Sequence, residues 1–194
     1  MTVSQYQPAA LRTANLRTLD LDEQAFDRLH AAIGLTTEAI ELAEAWQSGD
    51  MTNLKEEVGD MMWYLPLMCR GLKINLNDIL GDEQFGTPPI VVSSLDAILQ
   101  VAGKLLNIQK KAVAYENYAP TNAYIDLMRT LCRMLAALAE RYGFTLQEAA
   151  DTNIKKLRAR YPGTGFDATN AVIRNLAEER TILEEKSVIV PGTL

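Results

Sequence analysis

Apolar residues recur every three or four positions along most of the chain, and this spacing predicts helices. The β-branched runs PIVVS near residue 90 and SVIV near residue 189 are short, so strand signals are almost absent. The pattern predicts an all-α protein whose helices are joined by short connections into a bundle. The predicted helices cover about residues 3–14, 23–48, 52–70, 93–117, 121–142, 145–160 and 167–185, and a short helix starts within 75–78.

Local signals set the ends of the helices. Asp22 is the candidate N-cap of the second helix, and Thr52 or Asn53 is the candidate N-cap of the third. Gly71 is the expected end of the third helix. Pro66 lies inside it and predicts a kink, because proline removes a backbone hydrogen bond.

The chain is expected to be one domain over residues 1–194, with a linker rich in glycine and proline near its middle. Its parts are an acidic, metal-binding half at about 1–80, the linker at about 81–92, a basic half at about 93–166, and a C-terminal helix and tail at 167–194.

A faint internal repeat links the two halves. GLTTEAIELAEA, which starts at Gly34, matches GKLLNIQKKAVA, which starts 69 residues later. At this offset Glu38, Glu41, Glu57 and Asp60 fall on Asn107, Lys110, Asp126 and Arg129, so the second half has neutral or basic groups at most of these positions. Either the halves are related, or they resemble each other only as helical hairpins of similar length.

Two pairs of carboxylates lie in the hairpin of residues 34–65. Glu38 and Glu41 are on its first helix, Glu57 and Asp60 are on its second, and the members of each pair are three residues apart. Residues i and i+3 lie about 60° apart around a helix, so each pair shares one face. Because a short turn makes the helices antiparallel neighbours, the four carboxylates can converge between them.

Converging carboxylates repel one another, and something must offset that repulsion. Oxygen ligands without nearby histidine or cysteine favour a hard cation such as Mg²⁺, Mn²⁺ or Ca²⁺, and Mg²⁺ held in this way commonly meets substrate phosphates. The alternative is that the acids are solvated charges on two surface helices. A di-iron site is disfavoured, because it needs Glu-x-x-His on two helices and the single histidine, His30, precedes the acids.

The charge and composition of the chain limit the classes of partner that are expected. A net charge of −6 disfavours a general nucleic-acid or anionic-membrane surface. The chain shows neither a signal-peptide pattern nor an apolar run of 18 residues, so a cytoplasmic protein without a membrane partner is expected. Cys69 and Cys132 lie in apolar helical runs and are expected to be buried free thiols.

At the acidic residues the sequence resembles the MazG-like, all-α nucleoside triphosphate pyrophosphohydrolase superfamily, which includes the dimeric dUTPases. The signature of that superfamily, Glu-x-x-Glu followed by Glu-x-x-Asp, reads EAIE at 38–41 and EVGD at 57–60. NIKKLRARYPGTGF at 153–166 resembles the segment that closes many such units, and YQPAALRT at 6–13 resembles their first helix. The flanks of the acids look like those of phage and bacterial members, and the resemblance covers most of residues 6–166.

The resemblance implies Mg²⁺-dependent cleavage of a nucleoside triphosphate between its α- and β-phosphates, giving the monophosphate and pyrophosphate, in nucleotide-pool control. Mn²⁺ is expected to substitute, and a homodimer or homotetramer is implied. Glu38, Glu41, Glu57 and Asp60 would be the metal ligands and the catalytic residues. The alternatives are a dUTPase-like member of the same superfamily and a non-catalytic, metal-binding helical oligomer.

Two features depart from the family pattern. Many relatives carry a further glutamate, a candidate general base, where this chain has Thr37, which cannot take a proton at neutral pH. By helix geometry Glu44 and Glu56 lie off the two ligand faces, so activation of water is expected to rest on the metal ions. The second departure is a helical hairpin inserted between the Glu-x-x-Asp helix and the closing N-x-x-K-L segment at 153–157.

Five residues are expected to bind the substrate: Lys156, Asn153, Lys110, His30 and Arg160. Lys156 and Asn153 match the N-x-x-K-L segment, and Lys110 is the repeat counterpart of an acid. His30 matches a residue common in the relatives, and Arg160 adds to the basic character of its helix. In the alternative reading, the cations are solvated, Arg160 anchors a helix end and His30 is structural.

Aromatic residues of the acidic hairpin are candidates for stacking on the nucleobase. They are Trp46, Trp63 and Tyr64, although aromatic residues at helical spacing are more often part of a core. The sequence does not distinguish dUTP, dGTP, dCTP or a damaged nucleotide as the preferred substrate.

Overall fold

The computed structural model describes residues 20–80, 94–163, 167–173 and 175–184, and these residues form helices without a strand. The helices are α1 (Glu23–Ser48), α2 (Met51–Leu72), α3 (Asn77–Leu80), α4 (Leu95–Tyr115), α5 (Thr121–Arg141), α6 (Leu146–Arg160), α7 (Ala168–Val172) and α8 (Leu176–Glu184). The predicted all-α class is confirmed. Within the described ranges no helix has the length and apolar character needed to cross a membrane.

Capping side chains set the starts of the first two helices. The Asp22 carboxylate accepts a backbone hydrogen bond from the first turn of α1, as predicted. The predicted cap of α2 is wrong, since the N-cap is Asp50, which accepts the backbone N–H of Asn53, and Thr52 lies inside the first turn. Gly49 ends α1 in the left-handed conformation (φ 74°), so the turn is tight and Asp50 already reaches the cap position.

The predicted end of α2 at Gly71 is also wrong. The helix runs to Leu72, and Lys73 takes the left-handed conformation that ends it. Gly71 serves a different purpose, because a Cβ atom there would lie 2.8 Å from the Gln24 carbonyl oxygen of α1. The missing side chain lets α1 and α2 approach closely, and the carbonyl of Gly71 accepts a 2.5 Å hydrogen bond from Arg28.

The remaining predicted elements divide into three groups. The helices predicted at 93–117, 121–142 and 145–160 correspond to α4, α5 and α6. The single helix predicted at 167–185 is two short helices, α7 and α8. The first predicted helix, the central linker and the two β-branched runs lie outside the described residues.

The core forms where α1 packs along both α2 and α4. Leu35, Leu42, Leu54, Met61 and Leu105 are fully buried there. Helix α5 packs against α4, and α6 packs against α2, so the acidic hairpin of α1 and α2 lies between the two later groups of helices. The two cysteines are buried free thiols, as predicted.

The positions of the helices agree with the internal repeat. A shift of 69 residues moves α1 onto α4 and α2 onto α5, with each end displaced by at most about three residues. Both halves therefore use helical hairpins of similar length. A common origin of the two halves stays a prediction.

Helices α2 and α6 approach most closely at Gly59. A Cβ atom at this position would lie 2.7 Å from the carbonyl oxygen of Ala149 and 3.0 Å from the Cβ atom of Asn153. The first of these atoms belongs to the backbone of α6, so it cannot move without displacing the helix. The absence of a side chain at Gly59 thus determines how near α6 lies to the acids of α2.

Gly59→Ala is expected to lower the free energy of unfolding by about 1–3 kcal/mol, because the added methyl group pushes α6 away from α2. Urea unfolding followed by circular dichroism measures the change. Gly103→Ala in α4 is the matched control, since a methyl group there meets nothing within 4 Å. The control should gain up to about 1 kcal/mol from helix propensity. Equal responses of the two variants would contradict the tight α2–α6 contact.

Candidate active site

A cavity of about 610 Å³ opens between α1, α2, α6 and the start of α8. Its volume lies within the range of small-ligand pockets, about 300–1,000 Å³. The four predicted metal ligands, Glu38, Glu41, Glu57 and Asp60, all line this cavity. The tertiary structure therefore brings together the two acid pairs that the sequence places on separate helices.

Three of the four acids form a compact group. Carboxylate oxygens of Glu38, Glu41 and Glu57 lie within 4.8 Å of one another. Glu57 is buried, Glu38 is partly buried and Glu41 is exposed, so the group extends from the interior of the bundle to the surface. Such an arrangement can bind a cation that enters from solvent.

Burial raises the pKa values of the two inner acids, Glu38 and Glu57. Burial, the hydrogen bond to Glu38 and nearby negative charges raise the pKa of Glu57 to about 9. Burial also raises the pKa of Glu38 to about 7, although its hydrogen bond to Glu57 acts in the opposite direction. At neutral pH the metal-free pair therefore retains a proton between its carboxylates.

The site fits a hard divalent cation. Oε2 of Glu57 is buried, and no group in the described parts of the chain donates a hydrogen bond to it. A buried polar atom without a partner costs free energy, and a bound cation would remove that cost and displace the proton. Three carboxylates and no nitrogen or sulfur ligand form the donor set that Mg²⁺, Mn²⁺ and Ca²⁺ prefer.

Asp60 is held differently from the other three acids. The Lys156 ammonium donates to Oδ1 and Oδ2 of Asp60 at 2.7 and 2.6 Å and to Oε1 of Glu56 at 2.9 Å. The Asn153 amide donates a further hydrogen bond to Asp60. Burial lowers the pKa of Lys156, but the charges and hydrogen bonds of Asp60 and Glu56 outweigh that effect and raise it above its ordinary value.

Glu56 lies outside the compact group of three acids, which agrees with the expectation from helix geometry, but it still lines the cavity. The hydrogen bond from Lys156 explains this position, since it draws the long Glu56 side chain toward Asp60. Glu44 lies instead in a separate shallow depression with Thr37. The Thr37 hydroxyl donates to the carbonyl of Gly34.

Aromatic rings form another side of the cavity. His30, Trp63 and Tyr64 line it, and their ring centroids lie 4.9–6.3 Å apart in edge-on contacts. Tyr64 occupies the space that a side chain at Gly34 would need. Trp46 lies elsewhere and donates a hydrogen bond from its indole nitrogen to the Tyr142 hydroxyl.

The last turn of α6 and the start of α8 complete the wall. Arg160 and Leu176 both line the cavity. Arg160 also forms a two-pronged ion pair with Glu179 of α8, at 2.9 and 2.7 Å. Lys110 is exposed on α4 and is not part of the wall.

Of two further charged residues in this region, Glu179 was missed in the sequence and Glu56 was set aside. Glu179 is buried against Arg160, but no sequence motif marks it, because it lies in an ordinary charged run. Glu56 directly precedes a motif acid, and that adjacency was the available signal for its role.

Residues 27–82 match the family model of the MazG nucleotide pyrophosphohydrolase domain. Comparisons with curated proteins and with solved structures found no match. The matched residues contain the acidic hairpin, so the resemblance inferred from the EAIE and EVGD motifs is confirmed there. Helix α6, which contributes Asn153 and Lys156, lies beyond the match.

The metal-free protein is expected to lose stability as the pH rises from about 5 toward 9. The pKa of Glu57 is about 9 in the folded state against an ordinary value of 4.5, so the folded state binds more protons across this window. The stability that protonation contributes is complete below the ordinary pKa and is lost as the pH approaches the folded value.

Thermal unfolding in chelator, measured at intervals from pH 5 to pH 9, tests this pH dependence. Glu57→Gln should flatten the slope, because glutamine does not titrate, whereas Glu140→Gln at an exposed position of α5 should retain it. Parallel profiles for wild type and Glu57→Gln would contradict the assignment.

Proposed function

We propose that this protein hydrolyses nucleoside triphosphates between the α- and β-phosphates, releasing the monophosphate and pyrophosphate. The observation that carries this proposal is the meeting of Glu38, Glu41 and Glu57 in one cavity, inside the residues that match the MazG nucleotide pyrophosphohydrolase domain. Such an activity would serve control of the nucleotide pool and would place the protein in the cytoplasm.

The proposed cofactor is Mg²⁺. Glu38, Glu41 and Glu57 would hold it, with Asp60 beside them on the cavity wall. Bound metal ions would neutralise phosphate charge, polarise the reacting bond and lower the pKa of the attacking water. Mn²⁺ is expected to substitute, because it accepts the same oxygen donors.

The other walls of the cavity support binding of a nucleotide. With the phosphates near the acids, the nucleoside would lie toward His30, Trp63 and Tyr64, whose rings offer apolar and stacking contacts. Arg160 remains a proposed contact to the substrate, but it would act from within its ion pair with Glu179. The protein's contribution would be to orient the substrate and to keep the charged groups in fixed positions.

An assay of pyrophosphate release from a panel of NTPs and dNTPs, with Mg²⁺ or Mn²⁺, tests the activity. Glu41→Gln and Glu57→Gln are expected to lower kcat/KM by at least about 100-fold, since loss of a metal ligand exceeds the effect of losing an outer-shell partner. Glu140→Gln, at an exposed position of α5 outside the cavity wall, should match wild type.

Each outcome of this assay has a separate meaning. If no nucleotide gave metal-dependent release of pyrophosphate, the proposed enzymatic activity would be rejected. If the glutamine variants were as active as wild type, the assignment of Glu41 and Glu57 to the active site would be rejected. A strong preference for dUTP would identify the dUTPase-like alternative.

A homodimer or homotetramer is also proposed. Phe26, Ile33 and Ile40 recur every seven residues on α1, and each is 46–56% exposed. Exposed apolar residues in such a row are typical of helix–helix contacts between subunits. Light scattering of wild type should give a dimer or tetramer mass, and Ile33→Glu should shift the protein toward monomer, whereas Lys104→Glu at an exposed position of α4 should not. A monomeric wild type would contradict the proposal.

A further inference from the structure

We propose that Lys156 is a positioning residue that binds the protein's own carboxylates and does not contact the phosphates of the substrate. The inference rests on the proposed function and assigns Lys156 a different role from the substrate-binding one expected from its N-x-x-K-L motif.

The contacts of the ammonium leave it no donor for a ligand. A lysine ammonium has three N–H donors. Three acceptors surround that of Lys156, namely both oxygens of Asp60 and Oε1 of Glu56, all at 2.6–2.9 Å. The side chain is only 1% exposed. Lys156 is absent from the cavity wall, whereas Glu56 and Asp60 are part of it, so the ammonium lies behind these carboxylates.

The ammonium divides the five carboxylates of the cavity into two sets. Glu56 and Asp60 share the Lys156 ammonium, which offsets one of their two negative charges inside the protein. The other three, Glu38, Glu41 and Glu57, gather within 4.8 Å and form the group proposed to bind a cation. Because both oxygens of Asp60 are engaged, its carboxylate plane is fixed beside the metal ligands.

The helix that carries Lys156 is itself fixed. Asn153 and Lys156 are three residues apart on one face of α6, and both donate to Asp60. The close contact of Gly59 with the α6 backbone sets the distance between α6 and α2, and therefore how near these two donors lie to Asp60. A group built in this way, on packed helices, is suited to hold another residue in position.

The two possible roles of Lys156 differ in what its removal changes. A phosphate ligand affects nucleotide binding and leaves metal binding without nucleotide unchanged. A positioning residue affects the metal site even when no nucleotide is present, because Asp60 and Glu56 lose the partner that holds them and their repulsion displaces the neighbouring ligands.

The test uses the full chain with Lys156→Met, which keeps most of the length of the side chain and removes its charge. Mn²⁺ binding without nucleotide, measured by calorimetry, should weaken by about 10- to 100-fold, the range seen when partners of metal ligands are lost. In steady-state hydrolysis kcat should fall by about tenfold or more, while KM for the nucleotide changes by less than about threefold. Lys155→Met is the matched control, since Lys155 is exposed on the same helix, and it should match wild type in both measurements.

Several results would overturn the inference. Unchanged Mn²⁺ binding with a raised KM would show a phosphate ligand. Tighter Mn²⁺ binding would show that Lys156 acts only as a competing positive charge. If the wild-type protein bound no Mn²⁺, the proposed metal site would be rejected, and this inference would be rejected with it.

A second variant is needed because Lys156→Met strands two carboxylates and can fail to fold. Asn153→Ala removes the other donor to Asp60 without a change of charge. It should also weaken Mn²⁺ binding and leave KM unchanged, and the reverse result would overturn the inference. Failure of the proposed function is distinguished by the metal measurement, since wild type that binds Mn²⁺ but hydrolyses no nucleotide rejects the reaction alone.

Discussion

Repulsion among carboxylates is the constraint on which the acidic cavity depends. Five acids line one space, and two of them, Glu38 and Glu57, are withdrawn from water far enough for burial to raise their pKa. The fold offsets this repulsion by two means. A buried ammonium from Lys156 pairs with Asp60 and Glu56, and a retained proton, or a bound cation in its place, reduces the repulsion between Glu38 and Glu57.

The pairing of Lys156 with Asp60 and Glu56 requires α6 to lie close to α2. Gly59 permits that approach, because any side chain there would meet the α6 backbone. The hairpin of α4 and α5 therefore separates the acids from Lys156 along the chain but not in space, since α4 packs against α1 and α5 while α6 returns to α2. The packing of the helices thus leaves the contact between the acids and Lys156 possible, although the α4–α5 hairpin lies between them in the chain.

Charge pairing also limits which residues are available to a ligand. Lys156 and Arg160 both lie on α6, and both are engaged by acids of the protein, Arg160 by Glu179 of α8. A highly charged phosphate chain would therefore depend on metal ions for most of its neutralisation. Thr37 does not supply a base, because a hydroxyl cannot take a proton at neutral pH, and its hydroxyl instead donates a hydrogen bond to the Gly34 carbonyl.

The sequence by itself determined the helical class, the position of most helices and the identity of the four acids, because helical periodicity and the spacing of Glu38, Glu41, Glu57 and Asp60 are local properties of the chain. Only the tertiary structure decided that three of those acids gather in one group while Asp60 pairs with Lys156. Lys156 was expected at the phosphates, yet it is buried against Asp60 and Glu56, and Glu179 engages Arg160 from a later helix. These pairings join residues far apart in the chain, and they depend on how closely helices pack, which no local pattern records.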